Sequence, residues 1–243
     1  MYQKVFQRYE IKYLITLEQK QKLLKEMNNN IILDNYGLTT IRNIYFDTPN
    51  YLLIRKSIEK PTYKEKLRIR SYEKATKDTK VFIELKKKYN GVVYKRRLSL
   101  SLEETNDWLL EDRRCYKTNQ IVNEIDYFIS YYKNLRPSLF LSYEREAYYG
   151  TNDKTLRLTF DKNIIARTKD ISLESEIYGD KLLDDNKILL EIKCNGGIPI
   201  WLTTLLSKEK IYKQSFSKYG TAYEKLILPN LNKNNIQEEE ING

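Results

Sequence analysis

The sequence predicts an α+β protein built as a closed antiparallel β-barrel of about eight strands, with helices packed outside. Three observations predict it. Charged residues spaced two apart recur in segments whose intervening residues are apolar. Segments of this kind flank a central helical insert, with no linker between them. Asn90-Gly91 stands between two of them and is the strongest hairpin signal in the chain. A strand sends alternate side chains to opposite faces. Each segment therefore has one apolar and one charged face, and closure of the sheet would turn the charged faces inward.

The elements follow in order. VFQRYEIKYLI predicts a first strand over Val5–Ile15. Thr16 then caps a helix, TLEQKQKLLKEMNNN, with Leu17, Leu23, Leu24 and Met27 on one side. TIRNIYFDT is a second strand. Asp47-Thr48-Pro49-Asn50 is a turn set by Asx bonding and a fixed proline φ, and a short helix, YLLIRKSI, follows. Strands are expected over Thr62–Tyr72, Lys80–Lys88 and Val92–Leu100. Ser101 and Glu104 form a capping-box pattern that opens a helix through Trp108. A second helix over Gln120–Asn134 carries Ile121, Ile125, Phe128, Ile129 and Tyr132 at helical spacing. After Pro137 the strand pattern returns in SLFLSYEREAYYG, LRLTFD, KNIIARTKD and Lys187–Cys194. Helices are expected at Pro199–Ser207 and near Lys218–Leu228. Residues 1–229 read as one domain. The Asn- and Glu-rich stretch 230–243 reads as a disordered polar tail.

Composition narrows the chemistry. The 243 residues carry a net charge of +10, which favours an anionic partner. Histidine is absent, which removes imidazole acid–base catalysis, catalytic triads and His metal ligands. A metal would need oxygen ligands, which points to Mg²⁺ or Mn²⁺. Cys115 and Cys194 have no metal-type spacing, and the parity of Cys194 places it on the apolar face of its strand. No glycine-rich phosphate loop is present. There is no apolar signal core and no run long enough to span a bilayer, so a soluble cytoplasmic protein without a membrane segment is expected. The 21 tyrosines could stack bases, but tyrosine is also a preferred strand residue. DNA is not an expected partner.

The proposed inward set is Lys12, Arg68, Arg70, Lys86, Lys95, Arg97, Arg145, Arg157 and Lys193, against Glu10, Glu84 and Glu191. A polar strand face is ordinarily a solvated face. The recurrence of the pattern and its positive bias instead suit an enclosed polyphosphate, because such a density of cations repels itself unless an anion fills the space. Arginine fits that role through its planar fork. Glu191 reads either as a metal ligand or as the salt-bridge partner of an arginine. Ser217-Lys218 reads either as a basic element over a tunnel mouth or as a solvated surface lysine.

Taken in order, FQRYEIKYL, IRNIYFDTPNY, KLRIRSY, FIELKKKYNGVVYKRR, SYEREAYY, LRLTFD, LLEIK and SFSKYGTAYEKL resemble the VTC-type polyphosphate polymerase domain of the triphosphate tunnel metalloenzyme superfamily. The resemblance runs over residues 3–228. It implies an eight-stranded tunnel that binds a nucleoside triphosphate and Mn²⁺ or Mg²⁺, and transfer of the terminal phosphoryl of ATP to a growing polyphosphate chain. It implies phosphate-binding roles for Lys12, Arg68, Arg70, Lys86, Lys95, Arg145, Arg157 and Lys218. It also implies a tunnel role for Tyr143, metal binding for Glu191, and a place for Ser217 beside Lys218. The CYTH-type triphosphatase branch opens with E-x-E-x-K, whereas this chain has Arg8 at the first acidic position. That departure suits the polymerase branch. Eukaryotic polymerases carry a phosphate-sensing domain before the tunnel and membrane helices after it. Neither is legible here, and the resemblance is to the stand-alone bacterial versions. The sequence leaves the oligomeric state open.

Overall fold

A computed structural model of the chain describes residues 8–90, 92–111 and 113–232. The expected start of the first strand at Val5–Gln7, the glycine of the Asn90-Gly91 turn and most of the expected tail lie outside the described residues. The strands are β1 (Arg8–Thr16), β2 (Ile31–Leu33), β3 (Thr39–Asp47), β4 (Tyr63–Tyr72), β5 (Lys80–Tyr89), β6 (Val92–Ser101), β7 (Arg136–Gly150), β8 (Arg157–Arg167), β9 (Asp180–Lys181) and β10 (Lys187–Asn195). The helices are α1 (Leu17–Met27), α2 (Leu52–Ile58), α3 (Leu102–Leu109), α4 (Gln120–Tyr131), α5 (Ile200–Lys208) and α6 (Lys218–Ala222), the last running into a π-helical turn at Tyr223–Ile227.

The strand order is β1-β10-β8-β7-β3-β4-β5-β6, with β2 on β7 and β9 on β8. The ladders β1–β10, β10–β8, β2–β7, β3–β4, β4–β5, β5–β6 and β8–β9 are antiparallel. The expected closure is not found: among the described residues no ladder joins β1 to β6. Alternation fixes which side chains share a face, but it is identical in an open and a closed sheet. Closure depends on stagger and tilt, which alternation does not encode.

Packing divides the chain into two compact units, each assembled from separate segments. The first comprises residues up to Thr40, Tyr143–Ile164 and Leu183–Phe216. In it β10 pairs with β1 and β8, and the apolar parity of all three (Tyr13, Ile15, Leu158, Phe160, Ile188, Leu190, Ile192, Cys194) is buried with Leu23 and Met27 of α1 and Leu202 of α5. Thr16 caps α1 through a capping box with Gln19. Leu17, expected on the buried side, is 51% exposed, and Lys20 is buried in its stead. Lys20 Nζ donates to Glu146 Oε1 at 2.6 Å.

The second unit comprises Ile41–Ser142, Ile165–Leu182 and residues from Ser217 onward. In it β3, β4, β5 and β6 form a meander. Ile44, Ile69, Ile83 and Leu98 sit opposite one another across its four strands. This apolar face is covered by Trp108 of α3 and by Val122, Ile125 and Phe128 of α4. Ser101 caps α3 through the expected capping box. Helix α4 ends at Tyr131, three residues short of the expected end, with Asn134 in a left-handed conformation at φ 63°. The two segments LRLTFD and KNIIAR are one strand, β8, with Asn163 at φ 50° marking the interruption.

Ile125 is fully buried between α4 and the meander. Ile125→Ala should cost about 2–5 kcal/mol of unfolding free energy, read as a lower denaturant midpoint at unchanged slope. A loss below about 0.5 kcal/mol, the range of surface substitutions, would show that α4 does not cover this core.

Candidate functional site

The polar faces of the two units each hold a cluster of the expected residues. In the second unit, Tyr45, Arg68, Glu84 and Arg97 occupy one row across β3, β4, β5 and β6. Glu84 is the hub, with its side chain 1% exposed. Its Oε2 receives Arg68 Nε at 2.8 Å and Arg68 Nη2 at 2.7 Å, with Arg70 Nη1 at 3.9 Å. Its Oε1 receives Lys95 Nζ and Arg97 Nε, each at 2.7 Å, and also Arg97 Nη2. Arg70 Nε donates to Asn43 Oδ1 at 3.1 Å, and Arg68 Nη1 donates to the Tyr45 hydroxyl at 3.0 Å. The Arg97 guanidinium lies 4.7 Å from the Phe82 ring centroid.

Burial alone would raise the Glu84 carboxyl, but Arg68, Arg70 and Lys95 hold it far below the usual carboxylate range. Its unfolded counterpart titrates near pH ~4.3. The stability it contributes is therefore complete above that pH and is lost as pH falls below it. One anion gathers four cations. At an effective dielectric of about 20, two like charges about 5 Å apart repel by about 3 kcal/mol. The adjacent row is more lopsided: Lys66, Lys86 and Lys95 stand side by side on β4, β5 and β6. Like charges directly opposite on neighbouring strands are destabilising. Lys86 is exposed and Lys66 half-buried.

In the first unit Glu191 is buried on β10. Lys12 Nζ lies 3.4 Å from its Oε1. Lys193 Nζ and Arg145 Nη2 each lie 3.7 Å from its Oε2. Glu10 shares the two lysines, at 3.6 Å from Lys12 and 3.9 Å from Lys193. Lys12 Nζ also donates to the Phe216 carbonyl at 2.9 Å. Arg145 makes a bidentate fork to the buried Asp161, Nε to Oδ1 at 2.6 Å and Nη2 to Oδ2 at 2.7 Å. Burial opposes its charge, but Asp161 and the neighbouring Tyr143 and Glu191 push the guanidinium well above its ordinary value. Tyr143 is buried under it, with the ring centroid 5.1 Å from the guanidinium carbon. Arg157 turns elsewhere: its Nη2 is 3.8 Å from Asp34 and its guanidinium lies 5.0 Å from the Tyr149 centroid.

Thus Arg68, Arg70, Lys95 and Arg97 meet on Glu84, while Lys12, Lys193 and Arg145 meet on Glu191. Of the two readings of Glu191, its geometry shows the ion-paired one, with Arg145 and two lysines around its carboxylate. Lys218 is half-buried at the first position of α6, and Ser217 is its exposed N-cap. The charged groups differ in character between the units. Around Glu84 the cations outnumber the acid. Around Glu191, the carboxylates of Glu10, Glu191 and Asp161 match Lys12, Lys193 and Arg145. Among the described residues no group of three or more carboxylates gathers as a metal cage. A divalent ion held by one or two carboxylates and completed by substrate phosphates is the arrangement Mg²⁺ commonly takes, and Glu191 with Glu10 fits that donor set. Sequence reasoning missed Asp161 and Lys66. Both were accessible from parity, Asp161 two residues beyond Thr159 in RLTFD and Lys66 two before Arg68.

The VTC domain family model matches residues 7–227. No curated protein matches the chain. Among solved structures, one described as a candidate adenylate cyclase of Bacillus halodurans is similar over 86% of this chain and 92% of its own, at 17% identity and a TM-score of 0.54. One from Hippeastrum, described as a candidate adenylyl cyclase that reveals a dominant triphosphatase activity, is similar over 90% of this chain and 96% of its own, at 19% identity and a TM-score of 0.51. These similarities show a common fold.

Loss of water lowers the Lys95 ammonium to about 8, against the opposing pull of Glu84, while 43% of its side chain stays exposed. Lys95 therefore loses its charge as pH rises through about 8. If Lys95 meets an added anion such as tripolyphosphate, the affinity should fall as pH rises through about 8, and Lys95→Arg, which stays charged, should flatten that limb in a calorimetric titration. Parallel curves for the two proteins would show that Lys95 does not meet the anion.

Proposed function

We propose, because this chain belongs to the VTC domain family, that it is a metal-dependent polyphosphate polymerase that transfers the terminal phosphoryl group of ATP to a polyphosphate chain. The observation that carries this reading is the Glu84 cluster, in which four cations share one buried carboxylate. A site so constituted attracts a linear polyanion and neutralises the charge on transferring phosphoryl oxygens. Phosphoryl transfer needs little else from a protein besides in-line positioning. A terminal oxygen of the acceptor phosphate attacks the γ-phosphorus. The bond from that phosphorus to the β–γ bridging oxygen breaks, and ADP leaves. The acceptor is already an anion, so no general base is needed, in keeping with a chain that lacks histidine.

In this reading Arg68, Arg70 and Arg97 grip phosphate oxygens, and Lys86, Lys95 and Lys218 steer the polyanion. Arg145 is preset by its fork to Asp161, which uses two of the five N–H donors of its guanidinium. In the first unit Lys12, Lys193 and Arg145, with Tyr143 under the guanidinium, form a phosphate-binding set of their own. Glu191 would hold Mn²⁺ or Mg²⁺. The metal supplies charge neutralisation on phosphate oxygens. Arg8, where the triphosphatase branch has an acid, supports transfer over hydrolysis.

The test combines ATP, Mn²⁺ and a short polyphosphate primer, with the product sized on a gel. The wild-type chain should lengthen the primer. Arg68→Ala should lower the rate by about 10²–10³-fold, the scale for losing one charge-stabilising donor. Glu191→Gln should abolish metal-dependent extension. Extension at the wild-type rate by Glu191→Gln would remove the metal assignment. Orthophosphate without long product would identify a triphosphatase. Salt-sensitive anion binding with no turnover would identify a polyphosphate- or RNA-binding module.

A further inference from the structure

The F-D-T-P-N-Y turn is the motif the proposed reaction leaves unused, and its aspartate is fully buried. Asp47 Oδ1 accepts the backbone N–H of Thr48 and that of Leu53, each at 2.8 Å. Its Oδ2 accepts the N–H of Ile54 at 3.0 Å. These bonds cap α2. The same Oδ2 accepts the hydroxyl of Tyr219 at 2.9 Å, 172 residues away in sequence. Burial pushes the Asp47 carboxyl up, while these hydrogen bonds pull it down.

Tyr219 is buried and directly follows Lys218. Its ring stacks on Tyr45 with centroids 4.8 Å apart, and Lys66 Nζ lies 5.9 Å from its centroid. The Tyr45 hydroxyl in turn accepts Arg68 Nη1 at 3.0 Å, and Arg68 belongs to the Glu84 cluster. On the other side of Lys218, the Ser217 hydroxyl accepts the N–H of Gly220 at 3.1 Å. A Cβ at Gly220 would approach Ser217 Cβ to 3.1 Å and Ile58 Cγ1 to 3.8 Å, so this turn packs closely beside α2. Helix α6 runs on through the π-helical turn to residue 232, and the Tyr219 hydroxyl is the side-chain bond that ties its first turn, which carries Lys218, to Asp47.

We propose that Asp47 and Tyr219 are positioning residues that fix Lys218 for binding the phosphate chain. Asp47 is itself fixed by the start of α2. Its carboxylate therefore acts as a rigid post, and the Tyr219 hydroxyl ties the first turn of α6 to it. The stacked Tyr45 ring holds Tyr219 in the same frame as Arg68. Neither Asp47 nor Tyr219 need touch the substrate. This inference rests on the reading of Lys218 as a phosphate-binding residue.

The test is a double-mutant cycle in the full chain, read as affinity for inorganic tripolyphosphate by calorimetry. Lys218→Ala should weaken binding by about tenfold, the scale of a charge-assisted contact. Tyr219→Phe keeps the ring, its stack and its burial, and removes only the hydroxyl. It should weaken binding by about 3–10-fold in the wild-type background and by less than about twofold in Lys218→Ala, because residues acting as one unit are non-additive. Asp47→Asn should give the same pattern. Melting curves fix a temperature at which every protein is folded, and a variant with no such temperature is replaced in the cycle by the other. Equal weakening in both backgrounds, undiminished binding in Tyr219→Phe, or undiminished binding in Lys218→Ala would each overturn the proposal. The readout is binding. Failure to make polymer from ATP would therefore end the polymerase reading and leave this one standing.

Discussion

Everything chemical in the second unit depends on one carboxylate held where water cannot reach it. Glu84 lies on a central strand with its charge turned to the polar face of the meander, and it gathers Arg68, Arg70, Lys95 and Arg97. Removing a carboxylate from water is costly unless cations replace the lost solvation. Here they replace it in excess. The result is a set of guanidinium and ammonium groups ordered in advance of any ligand. Preorganised charge of this kind costs no reorganisation when an anion arrives.

The same strands do two jobs because their side chains alternate. Leu67, Ile69, Ile83 and Leu85 face α3 and α4, and the residues between them form the cation rows. Burial of one face therefore sets the register of the other. A slip of one residue would send every arginine into the apolar layer, so the core that stabilises the meander also enforces the geometry of the site. The first unit repeats the principle with a different charge balance. Asp161, Glu191 and Glu10 match their cations there.

Much of this was legible in the sequence. Period-two alternation located β4, β5, β6 and β10, and capping patterns at Thr16 and Ser101 located α1 and α3. Parity placed Cys194 in the core and Arg68, Arg70 and Arg97 on one face. What escaped was set by distance in the chain. Parity marks Asp161 as a polar-face residue, but nothing near Arg145 announces it as the partner, and nothing near Asp47 announces Tyr219. Both pairs form because strands and helices remote in sequence are brought together by packing. The division into two units was illegible for the same reason, since β3, β7 and β8 each pass from one unit to the other without a break in pattern. Closure of the sheet was over-read, because alternation is silent about stagger.

A crystal structure with tripolyphosphate and Mn²⁺ tests the central claim most directly. The account predicts phosphate oxygens within hydrogen-bonding distance of Arg68, Lys95 and Arg97, with Glu84 still buried beneath them. An anion bound on an outer surface, with those three side chains turned to Glu84 alone, would contradict it.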